Sequence, residues 1–340
     1  MNDLLLGQPP LPTTEDAFRR RVSYLRISLT DRCNLKCRYC MPQGGMIFFP
    51  SENLLSTEEL RRLMAIFVSL GVTKVRLTGG EPLLRADLEE LLQEAAALGI
   101  PDVSVTTNGI FLAGRAKTLA AAGLKRINIS LDTFQRDRFL KITGSDGLDR
   151  VLQGITAALE EGLQPVKINM VVMREWNFDE ITDFVRFAER LPVEVRFLEL
   201  MPTKNNLNGS AGVDASSFVS SDEIRREVEK IARLEAEEPV RGVARVFPLT
   251  GGLGKVGFVS PVSNHFCAAC NRIRLTASGG LKTCLHGEDI VDLRTALREG
   301  ASDAVIIGMI RGAIFRKPEE HFIRPDRYVS PFLQMSQVGG

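Results

Sequence analysis

The chain has 340 residues, with 43 Lys and Arg against 42 Asp and Glu, a formal net charge of +1. So even a balance gives no bulk attraction for nucleic acid or an anionic membrane, and any anion must be held locally. The length exceeds the size at which one core keeps growing, so one large domain with a smaller one is expected. No stretch is long enough to span a bilayer, and the opening Met1, Asn2, Asp3 and Leu4 to Leu6 lack the basic and apolar regions of an export signal. The six cysteines form two triplets rather than scattered pairs, which favours reduced thiolate ligands in a cytoplasmic protein over disulfides.

In chain order, residues 1–20 read as an N-terminal arm with Pro9, Pro10 and Pro12 and no assigned role. Over residues 21–206, β-branched runs alternate with segments of helical period, the pattern of repeated βα units. The first strand is expected at Tyr24 to Leu29, and the loop after it carries Cys33, Cys37 and Cys40, spaced C-x-x-x-C-x-x-C. Three thiolates can hold three irons of a cubane cluster and leave the fourth open, whereas a structural metal site normally recruits a fourth protein ligand. Half of a zinc site is the alternative, which this spacing fits poorly. Ser56 and Glu59 form a capping box opening a helix through Leu60, Leu63, Met64, Phe67 and Val68. Further strands are expected at Lys74 to Thr78, Val103 to Thr107, Arg126 to Leu131, Val166 to Val172 and Val193 to Leu200, with apolar helical stripes at Leu88 to Leu98 and Asn177 to Leu191. Six strands of this kind fit a barrel or a doubly wound sheet.

In such folds the loops after the strand C-termini form the ligand-binding face. There fall Gly79-Gly80-Glu81-Pro82, Thr106-Thr107-Asn108-Gly109, Ser130 to Asp132 and Glu199-Leu200-Met201-Pro202. Each alone has ordinary turn composition; gathered on one rim they make a site. The glycine pair would let backbone come close to a ligand. Arg26, Arg76 and Lys167, near the strand ends, could neutralise a polyanion without a P-loop, and Lys167 shares a strand face with Asn169. Solvated strand ends are the alternative.

The polar stretch Lys204 to Ser217 reads as a linker or mobile loop, dividing the first region from residues 207–340. Ser220 is placed to cap a helix through Ile231, and Arg245 to Val262 reads as short strands joined at Gly251 to Lys255. Leu249 and Val256 stand where a Walker motif needs Gly and Ser or Thr, so this is a hairpin turn. Cys267, Cys270 and Cys284 then form the second triplet. Arg272 and Arg274 alternate with Ile273, so in an extended segment both guanidiniums point the same way, a grip for phosphate or another anion. A Cys3His zinc site using His265 or His286 is the alternative, although such a site has no need of the arginines. The chain ends in Gly339 and Gly340.

The first triplet, with Tyr39 before its last cysteine, resembles the signature of radical S-adenosylmethionine (SAM) enzymes. Both triplets, Gly-Gly-Glu-Pro, C-x-x-C-N-R-x-R and the Gly-Gly end, in this order, resemble the MoaA family, the GTP 3',8-cyclases of molybdenum cofactor biosynthesis. The likeness runs from about Phe18 to the last residue, with no departure at any motif position. It implies a partial (β/α)6 TIM-type barrel, a radical SAM core, with a C-terminal α+β region carrying a second iron-sulfur cluster. It implies that Cys33, Cys37 and Cys40 hold a first 4Fe-4S cluster that binds SAM, and that Cys267, Cys270 and Cys284 hold a second one facing the substrate. Tyr39, Gly80, Ser130 and Met201 match SAM-contacting positions, and Arg26, Arg76, Thr106, Lys167, Arg272 and Arg274 match GTP-contacting ones. The Gly339-Gly340 tail is implied to enter the cavity. The implied reaction splits SAM reductively, removes the ribose 3' hydrogen of GTP and joins that carbon to guanine C8, giving (8S)-3',8-cyclo-7,8-dihydroguanosine 5'-triphosphate. The expected partners are GTP, a reductant for the first cluster, a second copy of the chain in a homodimer, and a following cyclic pyranopterin monophosphate synthase; nucleic acid and membrane are not expected.

Two rival readings are a peptide-modifying radical SAM maturase, which usually carries more C-terminal cysteines, and a non-catalytic protein using metal centres for structure. The second would not require Gly-Gly-Glu-Pro beside the first triplet.

Overall fold

The computed structural model describes residues 14–41, 46–202, 212–239, 242–287, 290–324 and 335–339. Most of the expected arm, the first part of the expected linker and Gly340 lie outside the described residues. Six strands, β1 (Tyr24–Ser28), β2 (Lys74–Thr78), β3 (Asp102–Thr107), β4 (Arg126–Ser130), β5 (Val166–Val172) and β6 (Val193–Glu199), run parallel in that order. They match the expected strands to within a residue at each end. Between them lie α1 (Thr57–Ser69), α2 (Leu88–Ala97), α3 (Ala116–Ala121), α4 (Arg136–Thr143), α5 (Leu148–Glu160) and α6 (Ile181–Arg190).

Local chemistry accounts for these elements. The Ser56 hydroxyl accepts from the Glu59 amide while the Glu59 carboxylate accepts from the Ser56 amide, the reciprocal box that opens α1. Leu60, Leu63, Met64 and Phe67 then face the sheet and are buried, each such side chain contributing roughly 1.5–3 kcal/mol. Along the strands Leu25, Ile27, Val75, Leu77, Val105, Ile127, Ile129, Ile168 and Val195 point the other way to meet the helices in one continuous core. Their neighbours, by the period of two, turn to the opposite face.

The C-terminal region supplies α7 (Ser221–Glu229), β7 (Ala244–Pro248), β8 (Lys255–Val259), β9 (Arg272–Leu275), β10 (Gly280–Lys282), β11 (Val291–Asp292), α8 (Leu293–Arg298), α9 (Asp303–Phe315) and α10 (Met335–Val338). Ser220 caps α7 as expected, and β7 and β8 form the expected hairpin. This region joins the sheet at both edges: β8 pairs parallel with β6, and β9 pairs parallel with β1. The result is one eleven-stranded sheet of order β11-β10-β9-β1-β2-β3-β4-β5-β6-β8-β7, an open partial barrel whose ends carry antiparallel strands. The described end of the expected linker is not loose. Val213 is buried with Ile142, Met173 and Leu200, and Trp176 Nε1 donates to Gly212 O at 2.9 Å.

Candidate functional site

The sheet face turned away from the helices is polar. In register across four neighbouring strands stand Lys282, Arg274, Arg26 and Arg76, followed by Ser104 and Arg126. A packed barrel interior would be apolar; this one gathers like charges. Arg26 and Arg76 are buried, and burial is the chief reason that each guanidinium is pushed down to about 9, with Arg274 adding to the effect at Arg26. Both remain charged at neutral pH. Neither Arg76 nor Arg274 has a carboxylate within ion-pair distance among the described residues. Arg76 Nε, Ser104 Oγ, Thr106 Oγ1 and Asn128 Oδ1 are buried without a hydrogen-bond partner there. Such a layer is costly unless an anionic, hydrogen-bonding ligand completes it.

This face opens into a cavity of about 320 Å³. Cys33, Cys37 and Cys40 line one part of it and Cys267, Cys270 and Cys284 another. None of the six is in a disulfide among the described residues. Burial, reinforced by Glu81, pushes Cys33 up to about 11, and burial raises Cys37 well above the usual thiol value, with Cys40 and Asp132 adding. Thiols so placed become thiolates only beside a metal centre. A tetrahedral zinc ion needs its sulfurs about 3.8 Å apart, given Zn–S bonds near 2.3 Å. Neither triplet gathers three ligand atoms for a single ion; among the described residues only His265, Cys267 and His321 do so, within 4.8 Å. His265 is otherwise engaged: Arg324 Nη1 donates to its Nδ1 at 2.8 Å and Ile323 O lies 2.6 Å from its Nε2. A guanidinium at that distance opposes a cation. Three soft sulfurs spread around one cavity wall suit a 4Fe-4S cluster at each triplet better than zinc.

Buried carboxylates tie the rim loops to this frame. Glu81 accepts from Leu83 N at 2.9 Å, Thr107 Oγ1 at 2.7 Å and Asn108 N at 2.7 Å, and burial pushes it up to about 7. The Asn108 side chain in turn donates to Asn34 Oδ1 at 2.9 Å and lies 3.8 Å from Cys33 Sγ. Asp132 accepts from Tyr39 OH at 2.8 Å and Val171 N at 2.9 Å, orienting the aromatic residue inside the first triplet. Glu199 accepts from Ser221 N at 2.8 Å, Val262 N at 2.9 Å, Ser263 N at 3.0 Å and Ser263 Oγ, joining β6, α7 and the loop after β8. The glycine pair serves the same frame. A Cβ on Gly80 would overlap the backbone carbonyl of Arg32, and one on Gly79 would sit 2.6 Å from Thr30 O. These glycines let the second loop lie against the cysteine loop, with Gly80 N donating to Thr30 O at 2.6 Å.

Of the residues singled out from sequence, Tyr39, Gly80, Ser130 and Met201 line the cavity, as do Arg26, Arg76, Thr106, Arg272 and Arg274. Arg272 lies 4.6 Å from the Phe266 ring centroid. Gly339 is not among the lining residues but adjoins them, its carbonyl accepting from Arg274 Nη1 at 2.6 Å. Lys167 is not among the lining residues; it pairs with Glu194 at 3.0 Å, which Arg196 also engages at 2.5 Å. Sequence reasoning left out Arg196, which lines the cavity beside Asn169, its register partner on β5. The inward period of β6 was the signal that could have found it. It also left out Lys317, whose Nζ donates to Arg272 O at 3.0 Å and to Thr283 O.

Residues 27–188 match the family described as the Radical SAM superfamily, and residues 193–323 that described as Molybdenum Cofactor Synthesis C. A GTP 3',8-cyclase of Moorella thermoacetica is 44% identical over 329 residues, covering 96% of this chain and 100% of its own length. The chain belongs to the GTP 3',8-cyclase family. Another family member, from Heliobacterium modesticaldum, is 44% identical over 329 residues, covering 96% of this chain and 99% of its own. Among solved structures, Streptococcus suis SuiB bound to S-adenosylmethionine superposes with a TM-score of 0.56 at 16% identity, over 86% of this chain and 72% of that one. At that identity the likeness concerns the fold, which is the radical SAM partial barrel.

Proposed function

We propose that this chain is a radical SAM GTP 3',8-cyclase, acting at the first step of molybdenum cofactor biosynthesis. The observation that carries this reading is a single cavity onto which two three-cysteine sets and a row of buried arginines open together. Cys33, Cys37 and Cys40 would hold the 4Fe-4S cluster that binds SAM, and Cys267, Cys270 and Cys284 the second one. When bound, the first cluster and SAM supply one-electron reduction and hydrogen-atom abstraction at ribose C3', after which C3' bonds to guanine C8.

The chain's own residues bind, orient and enclose. Arg26, Arg76 and Arg274, with Arg196 and Arg272 beside them, offer fixed donors and charge to the triphosphate without a P-loop. Thr106 Oγ1, buried without a partner, offers a neutral donor in the same layer. Gly80, Ser130 and Met201 face SAM, and Tyr39 is held for the same task through Asp132. Lys167 acts through Glu194 and Arg196 rather than at the cavity wall. Gly339 would close the cavity against water next to Arg274. The maturase rival finds less support, since the three C-terminal cysteines come with an arginine row suited to a polyphosphate.

Around this core we assign residues 1–20 to an arm, 21–206 to the barrel and 207–340 to the C-terminal region. We also propose a homodimer, a cytoplasmic reductant for the first cluster, and transfer of product to a cyclic pyranopterin monophosphate synthase. No helix among the described residues is long and apolar enough to cross a membrane. The deciding experiment is an anaerobic assay of iron-reconstituted protein with SAM, dithionite and GTP, read by mass spectrometry. GTP-dependent 5'-deoxyadenosine together with a GTP isomer of unchanged mass is the expected result. SAM cleavage without that isomer would discard the substrate, and no cleavage in a protein holding both clusters would discard the enzyme.

A further inference from the structure

The two cysteine sets stand in different electrostatic surroundings. Buried carboxylates face the first: Glu81 bears on Cys33 and Asp132 on Cys37. At the second, Arg272 and the buried ammonium of Lys317 bear on Cys270, while Glu320 bears on Cys267. Lys317 is 4% exposed, and its Nζ donates to Arg272 O at 3.0 Å and to Thr283 O. Those two carbonyls belong to the two arms of the set, Arg272 lying two residues past Cys270 and Thr283 directly before Cys284. The one side chain therefore spans both arms and brings a positive charge to Cys270 and Cys284. No carboxylate lies within ion-pair distance of Lys317 among the described residues, so its charge is left for the sulfurs. An uncompensated buried charge is expensive unless it serves a neighbouring anion.

We propose that Lys317 is a positioning residue of the second cysteine set, fixing its two arms together and raising the reduction potential of the cluster held there. The inference rests on the proposed function only in taking that set to hold a 4Fe-4S cluster. A cation close to the ligand sulfurs stabilises the more negative, reduced cluster, and hydrogen bonds and charge around the sulfurs are among the terms that set such potentials.

The test is a dithionite titration followed by electron paramagnetic resonance on the full chain carrying both clusters. A parallel series lacks the first set through Cys33→Ala, Cys37→Ala and Cys40→Ala, so that the second signal stands alone. Lys317→Met keeps most of the length of the side chain and removes the charge together with the two hydrogen bonds. The expected result is a drop of tenfold or more in the reduction equilibrium constant of the second cluster, at least ~59 mV for one electron, with the first cluster unchanged. Lys317→Arg should retain the wild-type potential. An unchanged midpoint in Lys317→Met at full iron content would overturn the proposal. If Lys317→Met loses the second cluster, Lys317→Arg decides: a retained cluster at wild-type potential supports the role of charge, and loss in both variants refutes it. Potentials are read without GTP turnover, so a failure of the cyclase reading would show separately, as absent product in the wild-type protein.

Discussion

Removing Gly339 and Gly340 should cripple turnover while sparing both clusters. Arg274 is 6% exposed and its Nη1 donates to the Gly339 carbonyl at 2.6 Å. A hydrogen bond to a charged group contributes about 1.5–3 kcal/mol, and at about 1.36 kcal/mol per factor of ten its loss from the reacting complex slows product formation roughly 10- to 150-fold. Gly339 also adopts φ +74°, and a Cβ there would sit 2.5 Å from Thr78 Cγ2. Gly339→Ala therefore combines a left-handed backbone cost of about 1–2 kcal/mol with steric overlap, and should reproduce part of the truncation. The assay measures 5'-deoxyadenosine and cyclised nucleotide in the same anaerobic reaction, with iron content determined beforehand. The truncated protein should cleave SAM and yield little isomer. Cyclised product at the wild-type rate would refute the reasoning, and loss of iron from either set would show that the tail holds the fold rather than the substrate.

Gly80→Ala would drive a Cβ into the Arg32 carbonyl, so iron at the first set and SAM cleavage should be lost while iron at the second set stays; iron content measured set by set checks this. Glu199→Gln places an amide against backbone donors that the carboxylate now satisfies. At about 1–3 kcal/mol for each unpaired buried donor, stability should fall by about 2–5 kcal/mol, with faster hydrogen exchange at Ser221 and Val262; urea unfolding within about 0.5 kcal/mol of wild type would count against it. Asp132 is pushed up from 3.8 to about 6 by burial, so the fold favours its protonated form. Stability of the apoprotein should therefore fall as pH rises from about 4 to 6, by roughly 3 kcal/mol in all. Asp132→Asn can keep both hydrogen bonds and should remove that fall, so its advantage over wild type should be near zero at pH 4 and full at pH 7. Parallel urea titrations of the two proteins would expose the opposite trend.

The strands of the barrel were readable because each is a short β-branched run bounded by turn residues, and the cysteine sets because thiol spacing is a chemical signature. The edges were not readable. Nothing local in Arg272 to Leu275 says that it will pair with Tyr24 to Ser28, because parallel pairing over such a distance leaves no mark in either segment. The rim motifs were located correctly, but part of their chemistry differs from the sequence reading. Gly79 and Gly80 are small because the cysteine loop lies against them, and Glu81 and Glu199 are buried ties between loops. In a single chain a ligand-contacting glycine and a close-packed one look alike. Lys167 was chosen for its charge and place on β5, yet Glu194 on the next strand claims it. Arg196, on the same inward period, was passed over although Val193-Glu194-Val195-Arg196-Phe197 alternates apolar and charged residues.

Because β9 lies directly beside β1, this first strand of the described residues gains its outer neighbour only after 248 further residues have been made, counting from Tyr24 to its partner Arg272. Until then β1 is an open edge, as β6 is until Lys255 to Val259 of β8 are made, the kind of surface that recruits stray strands. Such long-range parallel pairing is slow to form, since the loop must close before any contact repays it. Arg274 reaches the inward row by the same late step, and Cys270 sits two residues before the strand that makes it. Completion of the second iron-sulfur set is thus tied to the sheet's closing move, so a chain stalled or truncated before residue 272 would display the first cysteine set on a half-built barrel with an unsealed flank.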